Sequence, residues 1–115
     1  HPLPPPARIS EVFGRLGVDQ AAQVVCYDDA NGMMAARLWW MLRYMGHDAV
    51  AVLDGGYQAW LAAGHTPETG VRDIRPVFFG GRPRPERLVL LDEVVEAVAT
   101  RPSLTVELVD ARDPA

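Results

Sequence analysis

The sequence predicts an α/β fold with a mainly parallel sheet flanked by helices, on three observations. Two short apolar runs, AQVVCYD (Ala22–Asp28) and AVAVLDGG (Ala49–Gly56), each run into a helical stretch. Each of those stretches stops at a glycine, Gly46 and Gly64. A strand–helix–strand–helix order at this spacing is the rhythm of parallel strands joined by right-handed crossovers.

Element by element, the proline-rich HPLPPPARIS excludes a helix before about Pro6. PARISEVFGRLGV then reads as a short helix. Pro6 suits its first turn, Ile9, Val12, Phe13 and Leu16 share one face, and Gly17 marks the end. The unbroken apolar character of AQVVCYD predicts a strand buried on both faces. Asn31–Tyr44 is the clearest helix, built from good helix formers. Ala49–Gly56 is the second strand, and Tyr57–Gly64 a short helix after it. HTPETGVRDIRPVFFGGRPRPE has no helical period and reads as an extended linker docking Val77, Phe78 and Phe79 on the body. LLDEVVEAVATRP predicts an amphipathic helix with Asp92 as N-cap. Thr105–Val109 is a last strand, close to the final residue, so a piece of a longer protein is expected.

At 115 residues and 49% apolar content, the chain suffices for about one domain with a buried core. A formal charge of −4 provides no basic field for a phosphate backbone, which argues against nucleic-acid binding. The basic residues are all arginine, so Schiff-base and P-loop lysine chemistry is excluded. The single cysteine forms no internal disulfide and fits a reducing, cytoplasmic setting. His1, His47 and His65 lack metal-ligand spacing, and no metal or cofactor is implied. No charged segment leads into a signal-like apolar run, and no apolar stretch approaches the roughly 20 residues of a membrane span.

Three stretches together resemble the two-domain rhodanese family, the thiosulfate and 3-mercaptopyruvate sulfurtransferases. VVCYDDANGMMAARLWWMLRYMGH is similar to the strand, loop and helix of the family's first domain. VAVLDGGYQAWLAAG matches its LDGG-aromatic-x-x-Trp segment, with Tyr57 and Trp60 in the aromatic places. LVDARDPA resembles the Asp-Ala-Arg strand end that opens the second domain. The resemblance implies a partial rhodanese-like domain. Residues 1–66 would be the latter half of the non-catalytic first domain, 67–86 the inter-domain linker, and 87–115 the first helix and strand of the second. The family's opening Asp-x-Arg strand and its catalytic Cys-x-x-Gly-x-x-Ala loop have no counterpart here.

In the active half of the family, the resemblance implies a cysteine at the start of the strand-to-helix loop. Its thiolate takes the outer sulfur of thiosulfate, or sulfur from 3-mercaptopyruvate, and passes it from a persulfide to cyanide or a thiol. Backbone N–H groups and the helix N-terminus stabilise such a thiolate. In this chain Asp28 follows the strand tyrosine, and a carboxylate forms no persulfide. Asp28, Asp29, Ala30, Asn31 and Gly32 therefore read as a vestigial active-site loop with no catalytic residue, Asp28 or Asp29 serving as N-cap. Cys26, inside the strand, reads as a buried core thiol.

Arg37 and Arg43 read as snorkelling side chains around an apolar helix. Trp39 or Trp40 would then pack on a second rhodanese domain or another chain. Asp54 is a candidate cap for the following helix, with Gly55 and Gly56 forming a tight turn. Asp110 and Arg112 fall in the Asp-x-Arg stretch, and Arg112 alone reads as a structural ion-pair residue rather than a substrate ligand. The readings are a sulfurtransferase fragment, inactive alone; a non-catalytic rhodanese-like binding module; and, last, a flavodoxin-like domain, for which DDANG lacks a phosphate loop.

Overall fold

The computed structural model describes residues 2–100 together with Glu107 and Val109. The chain forms two compact units, His1–Pro85 and Glu86–Ala115. The predicted strand Thr105–Val109 lies outside the described residues except for Glu107 and Val109, as do Asp110 and Arg112.

In the first unit, helix α1 (Pro6–Arg15) starts on Pro5 and Pro6, whose fixed φ suits a first turn that needs no N–H. Ile9 and Phe13 are buried on it, while Val12 and Leu16 remain 37% and 52% exposed. The apolar face read from the sequence is thus wider than the face that packs. Gly17, at φ 77°, turns the chain away.

Strand β1 (Val24–Cys26) pairs in parallel with β2 (Val50–Val52), in the register Val24–Val50, Val25–Ala51 and Cys26–Val52. Hydrogen bonds from Val24 N–H to the Ala49 carbonyl and from Leu53 N–H to the Cys26 carbonyl, both 2.9 Å, extend the ladder. Burial is one-sided, contrary to the sequence expectation: Cys26 is 2% exposed and Val25 is 52% exposed. Side chains alternate along a strand, and helix α2 (Met33–Tyr44) covers the Cys26 face.

Ala35, Leu42, Tyr44 and Met45 carry the buried contribution of α2 and the turn after it, where Gly46 at φ 83° ends the helix. Each such side chain buried contributes about 1.5–3 kcal/mol for the larger apolar types. Trp40 stacks on Tyr44, ring centroids 5.4 Å apart, and the Arg43 guanidinium lies 5.2 Å over Trp39. The two tryptophans are half-buried on their own helix. Helix α3 (Gly56–Ala62) follows β2, with Gly55 at its N-cap position and no side-chain cap, so Asp54 does not play the capping part assigned to it.

Beyond α3 the chain has no regular structure until a single 3-10 turn at Pro85–Arg87. Phe79 is nonetheless 3% exposed and meets Phe13 edge-on at 5.2 Å. Phe78, expected to dock beside it, is 88% exposed, because neighbours on an extended chain point to opposite sides.

In the second unit, helix α4 (Leu91–Ala99) begins on Leu90, whose N–H donates to the Glu93 carboxylate at 2.7 Å. Asp92, predicted as the cap, sits instead in the first turn, where its charge suits the helix N-terminus.

Candidate functional site

The loop between β1 and α2 is organised around one side chain. Asp28 Oδ1 accepts hydrogen bonds from the N–H groups of Ala30 (3.0 Å) and Gly32 (2.8 Å). Its Oδ2 accepts from Met34 and Ala35, both at 2.8 Å. Asn31 at φ 57° and Gly32 at φ 85° take left-handed conformations. That curl turns successive N–H groups inward, as in an anion-binding nest. Asparagine is among the non-glycine residues that tolerate such a φ best.

Met34 and Ala35 lie in the first turn of α2, whose opening N–H groups have no partner within the helix. Asp28 satisfies two of them from outside the helix, six and seven residues upstream. The capping role read for Asp28 is therefore made, though the N-cap position itself is Gly32 and the helix starts at Met33, two residues later than expected. Asp29 does not share the role: it is exposed, and its backbone carbonyl accepts from Gln58 Nε2 at 3.1 Å.

The bond from Ala35 N–H, then that from Gly32, holds the Asp28 carboxyl below the usual carboxylate range; partial burial opposes, and Ala30 and Met34 add to the lowering. Such a group is a weak base and an anion already coordinated. The N–H groups that would stabilise a developing negative charge are committed to it.

Cys26 stands two residues before this loop and is buried; burial pushes its thiol pKa up. A thiol reagent added to folded protein is expected to modify Cys26 no faster than the chain opens. Labelling that saturates while the far-ultraviolet spectrum stays native would contradict this placement.

The turns after the two strands are stitched together. Tyr57 N–H donates to the Asp28 carbonyl at 2.9 Å, and Gly56 makes that approach possible: a Cβ there would lie 2.6 Å from the Asp28 carbonyl oxygen. Both loops thus meet beyond the carboxyl ends of parallel strands, where α/β sheets commonly hold ligands. Alongside lies an open cleft of about 790 Å³, with Val25, Leu53, Tyr27, Tyr57 and Trp60 among its walls. The Tyr27 and Tyr57 rings stack with centroids 6.3 Å apart. The sequence reading assigned no role to Tyr27; the signal was a tyrosine at the end of the first apolar run and another just after the Gly-Gly turn of the second.

Among the described residues, no group of three His, Cys, Asp or Glu side chains is placed to hold a metal ion, and no helix is long and apolar enough to cross a membrane.

Residues 1–63 match the Rhodanese-like domain family. Over 114 residues the chain is 42% identical to the probable 3-mercaptopyruvate sulfurtransferase of Pseudomonas aeruginosa, covering 97% of this chain and 39% of that protein. The 3-mercaptopyruvate sulfurtransferase of Homo sapiens is 35% identical over 114 residues, covering 97% and 37%. The thiosulfate sulfurtransferase of Bos taurus is 33% identical over 112 residues, covering 96% and 37%. Among solved structures, SseA from Escherichia coli, described with the rhodanese fold, superposes with a TM-score of 0.75 at 33% identity, over 83% of this chain and 37% of that one. The chain thus spans between 37% and 39% of the length of these curated relatives. With the family match, the parallel strands, and the strand–loop–helix unit all in agreement, the chain belongs to the rhodanese-like domain family.

Proposed function

We propose that this chain is a non-catalytic portion of a sulfurtransferase that moves sulfane sulfur from thiosulfate or 3-mercaptopyruvate, through a cysteine persulfide, to a thiol or cyanide. The sulfurtransferase names of its relatives support the reaction class. The observation that carries the non-catalytic part is the Asp28 carboxylate, which fills its own loop with four backbone hydrogen bonds.

In thiosulfate chemistry a thiolate attacks the outer sulfur, the S–S bond breaks, and sulfite leaves with the bonding pair. Cyanide then takes the terminal sulfur as thiocyanate and regenerates the thiolate. A carboxylate with its lone pairs held by N–H donors performs neither step, and Cys26 is a buried thiol kept protonated by its surroundings. Asp28, Asp29, Ala30, Asn31 and Gly32 are on this reading a vestigial active-site loop that retains the scaffold.

The domain reading goes with it: residues 1–66 from a first rhodanese-like repeat, 67–86 as linker, and 87–115 opening a second repeat. A cytoplasmic location fits the single reduced cysteine. Thiocyanate formed from thiosulfate and cyanide is expected to equal that of a Cys26→Ala control. Turnover above the control would sink the proposal.

The open cleft walled by Tyr27, Tyr57 and Trp60 favours a second reading, a rhodanese-like interaction module that packs against another rhodanese domain or another chain. A chain that sediments as a stable monomer and gains a partner through this face supports that reading.

A further inference from the structure

Residues 76–84 belong to no helix or strand, yet the first unit holds them at several points. Val77 N–H donates to the Gly14 carbonyl at 2.9 Å, and Arg84 N–H to the Tyr44 carbonyl at 2.8 Å. Gly14 and Tyr44 stand in the last turns of α1 and α2, where backbone carbonyls lack partners within the helix. Between these two bonds the Phe79 ring is buried against Phe13 and, at 6.2 Å, His47. The Arg84 guanidinium reaches both carboxylate oxygens of Asp48, just past the end of α2, at 2.7 and 2.6 Å. A cation suits that end of a helix.

The segment and the surface beneath it are both shaped for a close approach of backbone. A Cβ on Gly14 would fall 2.5 Å from the Val77 carbonyl oxygen, and one on Gly81 would fall 2.4 Å from the Met45 carbonyl oxygen. His47, buried at 2% exposure, has its Nε2 at 2.9 Å from the Ala22 carbonyl oxygen.

We propose that residues 76–84 form a releasable strap that caps the C-terminal ends of α1 and α2, clipped by Arg84 on Asp48 and seated by Phe79. Release turns on the kind of groups that hold it, chiefly one ring and an ion-pair clip in which Arg84 also reaches the Gly46 carbonyl at 3.5 Å and Asp48 also faces Arg43 at 3.9 Å. The strap joins no strand ladder, one of its side chains is deeply buried, and the clip is solvent-accessible, Arg84 at 30% and Asp48 at 55% side-chain exposure. Segments with few buried contacts open at lower free energy than helices with complete ladders.

Native-state hydrogen exchange on the full chain tests this. The amides of residues 77 and 84 report the strap, and those of Met45 and His47, bonded to the Met41 and Leu42 carbonyls, report the helix end. Arg84→Ala is expected to speed exchange at 77 and 84 roughly tenfold, the loss of one well-formed charged clip, with less than twofold change at 45 and 47. In wild type, 1 M salt is expected to move the same two amides in the same direction, since exposed ion pairs are screened, and to add little in Arg84→Ala. Phe79→Ala endangers the whole core, so the surface variant carries the test. Two results overturn the proposal: strap and helix amides accelerating together under Arg84→Ala or salt, or residues 77 and 84 exchanging at free-chain rates in wild type.

Discussion

Asp28→Ala is expected to lower the melting temperature by roughly 5–10 °C, more than any other single polar-side-chain removal in the first unit. The change strips acceptors from four N–H groups at once, two of them in the opening turn of α2. It also leaves Asn31 and Gly32 in left-handed conformations with nothing to reward them. Asp28→Asn keeps the shape, but its amide nitrogen faces N–H groups as donor against donor, so a loss of similar direction is expected.

The acid dependence separates the two effects. The folded-state pKa of Asp28 is lowered, so its contribution is fully present above the ordinary carboxylate value of 3.8 and fades as pH falls through the lowered value. Urea midpoints measured downward from neutral pH are therefore expected to fall more steeply below 3.8 for wild type than for Asp28→Asn, the two curves converging in strong acid. Parallel curves would mean that the carboxylate is not bound as described.

Gly56→Ala is the second large effect, expected to cost about 2–4 kcal/mol by urea denaturation. Two independent causes add. The residue sits at φ 59°, where a Cβ is strained, and that Cβ would stand 2.6 Å from the Asp28 carbonyl oxygen, a backbone atom that cannot move without moving the loop. Gly64 supplies the control: at φ 81° it is equally left-handed, yet a Cβ there meets nothing within 4 Å. Gly64→Ala is expected to cost only about 1–2 kcal/mol, the conformational part alone. Equal losses at the two glycines would remove the argument that the β2–α3 turn is fitted against the Asp28 loop.

What could be read in the sequence was what local chemistry decides. The α2 helix, its glycine stop, the parallel pairing and the placement of Asp28 over the helix start follow from side-chain type and order. So does the burial of Cys26 within VVCYD. What resisted reading was set by partners distant along the chain. Val25 is as apolar as its neighbours, and only the side on which α2 lies decides that Cys26 is covered and Val25 is not. Phe78 and Phe79 are indistinguishable as letters; the Phe13 ring chooses between them. Asp92 is a better N-cap by residue type than Leu90, but Glu93 accepts from the Leu90 N–H and the boundary falls two residues earlier. The fit of Gly56 against a carbonyl 28 residues earlier has no local signature at all; a doubled glycine after a strand announces a turn, not its neighbour.

A loop closed by a carboxylate also has a different relation to oxidants. A thiolate at the same place would climb from sulfenic to sulfonic acid under peroxide, and would lose its reactivity on the way. Asp28 has no such ladder, and Cys26 is shielded beneath α2. Peroxide damage should fall instead on Met33 and Met34, residues 72% and 62% exposed in the first turn of that helix. Their thioethers would become polar sulfoxides while the Asp28 loop below them kept its shape.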